Sequence, residues 1–526
     1  MASLGTLLLF LRCQAIFIFS GFFAAWHWAA WRRRVGLRRI ERRGTTRTPY
    51  CVDFDRSTSF GDEPGIDFGT RDFGTRTSRH PKVAVVCPVK RFGDETARNW
   101  RTQMTSEYGG DLEYVFVAER ESDEAVRGFA ALVRDMREEG EVEVEETEAK
   151  RSARSEATDV GATRARRVAT ATKTRRGRGR RSARMLVAGS SATCSQKIHS
   201  MLAGALASDA ANEFVLFLDD DVRAHKNTVG VLVASMTNDA KGKKPFLTNG
   251  FPLDVPPSRD APFACYLVMV YHLVLLIAFS QGEWTKNVWG GCMMLRRASL
   301  ANDAHGCASA YRDGGYSDDL ILAALCDERG ETVGCPFEAV FPQRLDASLT
   351  IPRWWNYLRR QLFVMDTYAN DWNRRVNHGM LFVLSYLSLA TTVALAACCA
   401  DVAAYFARVF FVSSAFSSAF STHDDEIQTA HAFFPAASAV TFACFALALR
   451  AARRMYRDTG RLIAALGDAD AFEKVKEIRW RRVALAFVVA YALVPAAAAA
   501  TLAAPGVEWA GVRYRKRNGK VTRVSR

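Results

Sequence analysis

From Cys13 to Trp31 the chain runs nineteen residues without a carboxylate, lysine or arginine, and seven arginines follow within 32–43. Nineteen helical residues rise about 28 Å, close to the ~30 Å of a bilayer's hydrocarbon. Trp26, Trp28 and Trp31 end the segment like an interfacial aromatic belt. Arginine crosses a membrane poorly, so the arginine end is expected in the cytosol and the N-terminus across the bilayer. A signal peptide would carry its charge before the apolar stretch and a small-residue cleavage site after it. Residues 1–31 therefore read as an N-terminal transmembrane anchor, and 32–81 as a basic and polar linker.

Apolar runs return at 378–400, 402–420, 431–449 and 483–505, so 378–505 reads as a C-terminal membrane region. Basic flanks at 450–457, 477–482 and 513–526 all claim the cytosolic side. A straight span over 483–504 would separate two of them, and a hairpin bent at Pro495 is expected instead. Residues 506–526 then form a basic cytosolic tail.

The net charge of +15 is local. The arginine run at 32–43 and a second run at 150–184 account for it, and the remainder is near neutral. No nucleic-acid-binding domain is expected from such a distribution. Twelve scattered Cys, without a C-x-x-C pair, exclude a disulfide scaffold and a zinc module and read as reduced thiols.

At residue 82 the texture becomes that of an α/β domain. Short apolar strands are expected at 82–88, 112–117, 184–188 and 214–218, with helices over 95–108 and up to Ala207. That alternation predicts a doubly wound sheet over 82–377, whose ligand lies beyond the carboxyl ends of the strands. An insertion at 135–184 is acidic, then arginine- and glycine-rich, without apolar period, and is expected to be disordered. A tether for nucleic acid or phospholipid is its alternative use. Residues 263–279 form an apolar helix too short for a comfortable span, and an interfacial position is expected. His272 within it is either a satisfied interfacial side chain or part of an acceptor pocket.

Three features carry chemistry. Asp219-Asp220-Asp221 follows the strand FVLFL, where carboxylates can hold Mg²⁺ or Mn²⁺ against a diphosphate. The alternative is a solvated turn. Asp318 and Asp319 follow Gly314-Gly315 and open a helical run; each is either a helix cap or a general base. The helix around Arg353–Gln361 presents Arg359 and Arg360, suited to a leaving diphosphate or to an interfacial surface.

The order of these features resembles membrane-bound family-2 glycosyltransferases, and more closely the ceramide glucosyltransferases of plant and algal type. The resemblance lies in VVCPVKRFGDETARNWRTQ (85–103), AGSSATCSQKIHSML (188–202), VLFLDDDVR (215–223), WGGCMML (289–295), RDGGYSDDLILAAL (312–325), RWWNYLRRQLFVMDTY (353–368) and WAGVRYRKRNGKV (509–521). It implies a GT-A-like nucleotide-sugar domain in the cytosol of Golgi or endoplasmic reticulum membranes. The donor would be UDP-glucose, the acceptor ceramide reached among membrane lipids, and the cofactor Mg²⁺ or Mn²⁺.

Carried over by position, Pro88, Glu119, Lys197 and Asp219 fall on the donor side, with Asp219 and Asp221 as metal ligands. Asp is the commoner residue where this chain has Glu119. Asp319 matches the presumed base, with Asp318 beside it. Arg359 or Arg360 stands for the basic residue of a (Q/R)-x-x-R-W element, although no Trp follows either arginine here. Gly290, Gly291 and Cys292 match the acceptor-side segment, with a buried structural thiol as the other reading of Cys292. The rivals are a processive polysaccharide synthase of cellulose or chitin type and a non-enzymatic membrane scaffold.

Overall fold

The computed structural model describes residues 4–43, 80–139, 166–173, 179–238, 244–411 and 425–524. Its α/β domain holds strands β1 (Val83–Pro88), β2 (Leu112–Ala118), β3 (Arg166–Lys173), β4 (Arg181–Val187), β5 (Phe214–Leu218), β6 (Leu247–Asn249), β7 (Phe251–Val255), β8 (Glu283–Thr285), β9 (Cys292–Arg296), β10 (Val333–Cys335) and β11 (Val340–Arg344). A helix α1 (Leu4–Arg43) precedes them. Between them come α2 (Asp94–Met104), α3 (Glu124–Glu138), α4 (Gln196–Ala207), α5 (Thr228–Thr237), α6 (Phe263–Ala278), α7 (Arg297–Ala301), α8 (Cys307–Arg312) and α9 (Asp318–Glu328). The chain continues through α10 (Ile351–Phe363), α11 (Asp371–Phe411), α12 (Asp425–Ala465), α13 (Ala469–Lys476) and α14 (Trp480–Ala503). It ends in β12 (Gly506–Trp509), β13 (Val512–Arg517) and β14 (Lys520–Val524).

Nine strands form one sheet in the order β3-β4-β2-β1-β5-β9-β6-β10-β8. The centre is parallel: β1 pairs with β2 and β5, and β2 with β4. β9 runs antiparallel between β5 and β6. FVLFL is buried at every position because helices cover both faces of a parallel sheet. Side chains alternate between two cores: Val83, Val85 and Cys87 join Trp100, Phe116 and Phe129, while Ala84 and Val86 join Ile198 and Met201. This is the doubly wound α/β architecture expected from the sequence.

The insertion departs from expectation where it is described. Arg166–Lys173 is an edge strand antiparallel to β4, and β4 begins at Arg181. The parts at 140–165 and 174–178 lie outside the described residues, as does most of the linker after Arg43. The anchor also outruns its expected end, since α1 continues unbroken through the arginine run.

Among the described residues four helices are long and apolar enough to cross a membrane: the stretches Thr6–Arg42, Asp371–Ala407, Pro435–Ala465 and Trp480–Ala503. Arg12 of α1 pairs with Asp401 of α11, which also accepts from Ser438 of α12 at 2.7 Å. Phe19 lies 5.0 Å from Phe445 between ring centroids, and Arg34 lies 3.3 Å from Asp458. These contacts climb together along α1 and α12, so the two helices run parallel.

α14 behaves differently. At its start Arg479 pairs with Asp260 and Arg482 donates to the Ala261 carbonyl at 2.8 Å. At its end Lys516 donates to the Thr501 carbonyl at 2.8 Å and pairs with Asp366. Both ends thus meet the α/β domain, and the helix packs along α6 and α10 between them. The expected hairpin at Pro495 is absent; the helix continues through that residue. α14 also packs on α11, and its Phe487 lies 6.2 Å from Phe22 of α1 and 5.7 Å from Phe445 of α12 between ring centroids. The basic tail is likewise a folded element: β12, β13 and β14 form an antiparallel sheet.

Candidate active site

Parallel pairing aligns the carboxyl ends of β1, β2 and β5, so Pro88, Glu119 and Asp219 lie along one edge. α4 starts beneath that edge, its first turn capped by Ser195 accepting from the Ile198 N–H. The cap sets Lys197 in the helix's first turn, pointing at the acidic centre. Its Nζ lies 2.8 Å from Asp219 Oδ1, 3.1 Å from Asp318 Oδ2 and 3.1 Å from the Gly290 carbonyl. Burial alone would favour neutral Lys197; Asp219 and Asp318 outweigh it and hold the ammonium.

One ammonium serves five clustered carboxyls. Asp220 is pushed up to about 8 by burial, with Asp221 and Asp219 adding repulsion. Asp221 is raised to about 6 by burial and Asp219, against a 2.6 Å hydrogen bond donated by Gln343. Asp318 is raised to about 7 by burial, with Lys197 opposing. Asp319 sits at the same helix start. Its Oδ1 accepts from the Leu320 N–H at 2.8 Å and from Ser317, and its Oδ2 accepts from the Gly290 N–H at 3.3 Å. Asp319 thus bonds at the helix start and also reaches the Gly290 segment. Asp318 is buried and tied to Lys197, whereas Asp319 is the more open of the pair.

Gly290 and Gly291 pack against this centre. A Cβ on Gly290 would stand 2.6 Å from Asp318 Oδ2, and one on Gly291 would stand 2.1 Å from the Trp289 ring. The Gly291 carbonyl accepts from the Asp219 N–H at 2.9 Å. Cys292 is wholly buried in β9 between β5 and β6, and burial pushes its thiol far up. That favours the structural-thiol reading. Among the described residues no group of three or more His, Cys, Asp or Glu is arranged to hold a metal ion. Asp219 is engaged by Lys197 and Asp221 by Gln343, yet the surplus of carboxylate is suited to a further cation.

At the other end of the edge, Glu119 is buried. Burial would raise its carboxyl; hydrogen bonds from Ser190, at 2.8 Å, and from Arg523, at 2.6 Å, more than reverse that and lower it. Lys90 stands 3.7 Å away. The two arginines of α10 diverge. Arg360 lies over Trp509, 4.9 Å from its ring centroid. Arg359 keeps a buried Nε without a hydrogen-bond partner among the described residues.

The acidic centre adjoins the apolar helices. Burial raises the hydroxyl of Tyr271 on α6, and the charge of Asp319 adds to it. Tyr357 on α10 is raised by burial, Tyr271 and Asp254, with Asp221 contributing. His272 bridges α6 to its neighbours: Nδ1 is 2.8 Å from Asp254 Oδ2, and Nε2 is 3.1 Å from the Tyr357 hydroxyl. The 263–279 helix is mostly buried beneath α14 rather than spread on a surface.

Reading the sequence missed Gln343, Tyr271, Tyr357 and Arg523. None of the four had a signal of its own; the alternation of VRYRKR marks only the neighbouring strand β13, with Val512 and Tyr514 turned inward.

Known protein-family models and curated proteins give no match to this chain. Among solved structures it is similar to a mannosyltransferase, PcManGT from Pyrobaculum calidifontis in complex with GDP-Man and Mn²⁺. The identity is 12% and the TM-score 0.34, over 82% of this chain and 97% of that one. It is also similar to S. aureus TarS 1-349, at 11% identity and TM-score 0.30 over 84% and 98% of the two chains. TarS 1-349 in complex with UDP-GlcNAc stands at 10% identity and TM-score 0.30. Likeness at that level says nothing of this chain's substrate.

Proposed function

We propose that this chain transfers glucose from UDP-glucose to the primary hydroxyl of ceramide, from a cytosolic α/β domain on Golgi or endoplasmic reticulum membranes. The observation that carries the reading is the junction of two unlike surfaces. A carboxylate-rich centre at the strands' carboxyl edge adjoins the apolar helices α6 and α10: Trp289, next to the Gly290 that holds Asp319, packs on the same apolar cluster as Tyr271 and Tyr357. A charged sugar donor fits one surface and a lipid hydroxyl the other. The choice of UDP-glucose and ceramide is supported by the seven-stretch resemblance alone.

In this reading the nucleoside lies toward Pro88 and Glu119, and the diphosphate toward Asp219, Lys197 and one of Arg359 and Arg360. Asp219 and Asp221 would hold Mg²⁺ or Mn²⁺, which would neutralise part of the diphosphate charge. Asp319, held by the Gly290 N–H and free of any ion pair with Lys197, takes the proton of the acceptor hydroxyl. That oxygen attacks the anomeric carbon from the face opposite UDP, so an α-linked donor yields a β-glucoside. Asp318 fixes Lys197, and Lys197 fixes Asp219. Lipid analysis of a cell lacking ceramide glucosyltransferase and expressing this chain tests the reading. Restored glucosylceramide is expected; a cell that stays without it, with the protein present in membranes, contradicts the assignment.

A further inference from the structure

The C-terminal sheet is bound to the α/β domain at every edge. Its apolar side, Val507, Val512, Tyr514 and Val521, packs on Tyr316 and Phe363. The Val521 N–H donates to the Gly314 carbonyl at 2.9 Å, and the Tyr368 N–H to the Gly519 carbonyl at 3.0 Å. The Tyr514 hydroxyl accepts from the Gln196 N–H at 2.9 Å, at the start of the helix that carries Lys197. Lys90, after β1, donates to the Ala510 carbonyl. Such contacts make the sheet part of the domain, although the apolar bundle of residues 378–505 separates the two in sequence.

Two of its side chains reach the ends of the donor edge. Arg523 is mostly buried; it donates to Glu119 Oε1 at 2.6 Å and to Gln196 Oε1 at 3.0 Å. Trp509 lies under Arg360. We infer that the C-terminal sheet is a wall of the nucleotide-sugar site, with Arg523 as the positioning residue that holds Glu119 and the start of α4 in the geometry that binds the nucleoside diphosphate. Charge supports this. Glu119 is buried, and without Arg523 its remaining cations among the described residues are Lys90 at 3.7 Å and Arg120 at 3.5 Å. An uncompensated buried carboxylate shifts, takes up a proton or draws in water, and each outcome moves the donor site. The inference deepens the proposed transferase reading and rests on it.

The test uses the full chain purified in detergent, with UDP and UDP-glucose as probes. Arg523→Ala is expected to weaken UDP binding and raise the KM for UDP-glucose about tenfold to a hundredfold, the loss of a charge-assisted hydrogen bond. kcat at saturating donor should change little. Arg523→Lys should recover part of the loss. Arg523→Ala combined with Glu119→Gln should be less impaired than the two single effects added, because the stranded charge is gone. If Arg523→Ala proves too unstable to purify, Arg523→Lys and the double variant carry the same comparison. UDP affinity within twofold of wild type in these variants would overturn the inference and leave the transferase reading standing. A wild-type chain that binds no UDP would overturn both.

Discussion

Two buried cations in this chain have opposite surroundings. In the helical bundle Arg12 pairs with Asp401, and Ser438 donates to the same Asp401 oxygen. At the edge of the sheet Lys197 meets Asp219 and Asp318 directly, with Asp319 adding its charge and Asp220 and Asp221 crowding behind. The first arrangement pairs a cation with a carboxylate and joins three helices. The second holds more negative charge than its own residues neutralise, which is expensive in a buried place. A centre that keeps such a surplus is built for an incoming partner; a one-to-one pair is built for packing.

The comparison breaks most visibly at Asp319. Asp319→Asn should lower turnover by about 10²–10⁴-fold while UDP binding stays near wild type, because a positioned base is lost without a change of size. A purified variant that keeps more than about a tenth of the rate would make Asp318 the residue to test. Lys197→Met removes the ammonium and strands its carboxylates. It should cost about 3–5 kcal/mol of stability, read as a lower melting temperature, and should abolish transfer.

Arg12→Leu should cost less, about 1–3 kcal/mol, since Asp401 keeps Ser438. Replacing both Arg12 and Asp401 by Leu should recover most of that, as a buried ion pair exchanged for apolar volume commonly does. Failure of that double variant to recover would mean that Arg12 does more than join helices.

The smallest expected effect is the dependence of stability on pH. Asp220, Asp221 and Asp318 are raised to about 8, 6 and 7 from an ordinary 3.8. The folded chain therefore keeps protons that the unfolded chain releases above about pH 4, and stability falls as pH rises from about 4 to 8. Melting curves of the protein without nucleotide or divalent cation should decline over that range. Adding Mn²⁺ with UDP should flatten the decline, and a flat profile without them would remove the charge surplus on which the comparison rests.

What the sequence disclosed follows the same division. FVLFL is legible as a buried strand because five apolar residues bounded by polar ones have few other uses, and its limits match the structure. Asp219 and Asp319 were legible as site residues because each lies at the end of an element. Lys197 was reached through a motif, but its bridge between residues 22 and 121 positions away is a product of topology. Arg523 and Glu119 are 404 residues apart and meet for the same reason. β3 was hidden because RRVATATK carries no apolar period beyond a few small residues, and an edge strand needs little more. The hairpin expected at Pro495 misled because the helix runs through that proline, and the salt bridges at its two ends come from Asp260 and Asp366 far upstream.

The central claim, that the acidic centre is completed by a nucleoside diphosphate together with a divalent cation, is met most directly by calorimetry of UDP binding. Wild-type protein should bind UDP more tightly when Mn²⁺ or Mg²⁺ is present, and Asp219→Ala should lose that enhancement because the carboxylate that faces the diphosphate is gone. A wild-type affinity indifferent to the cation, or an Asp219→Ala variant that keeps the full enhancement, would contradict it.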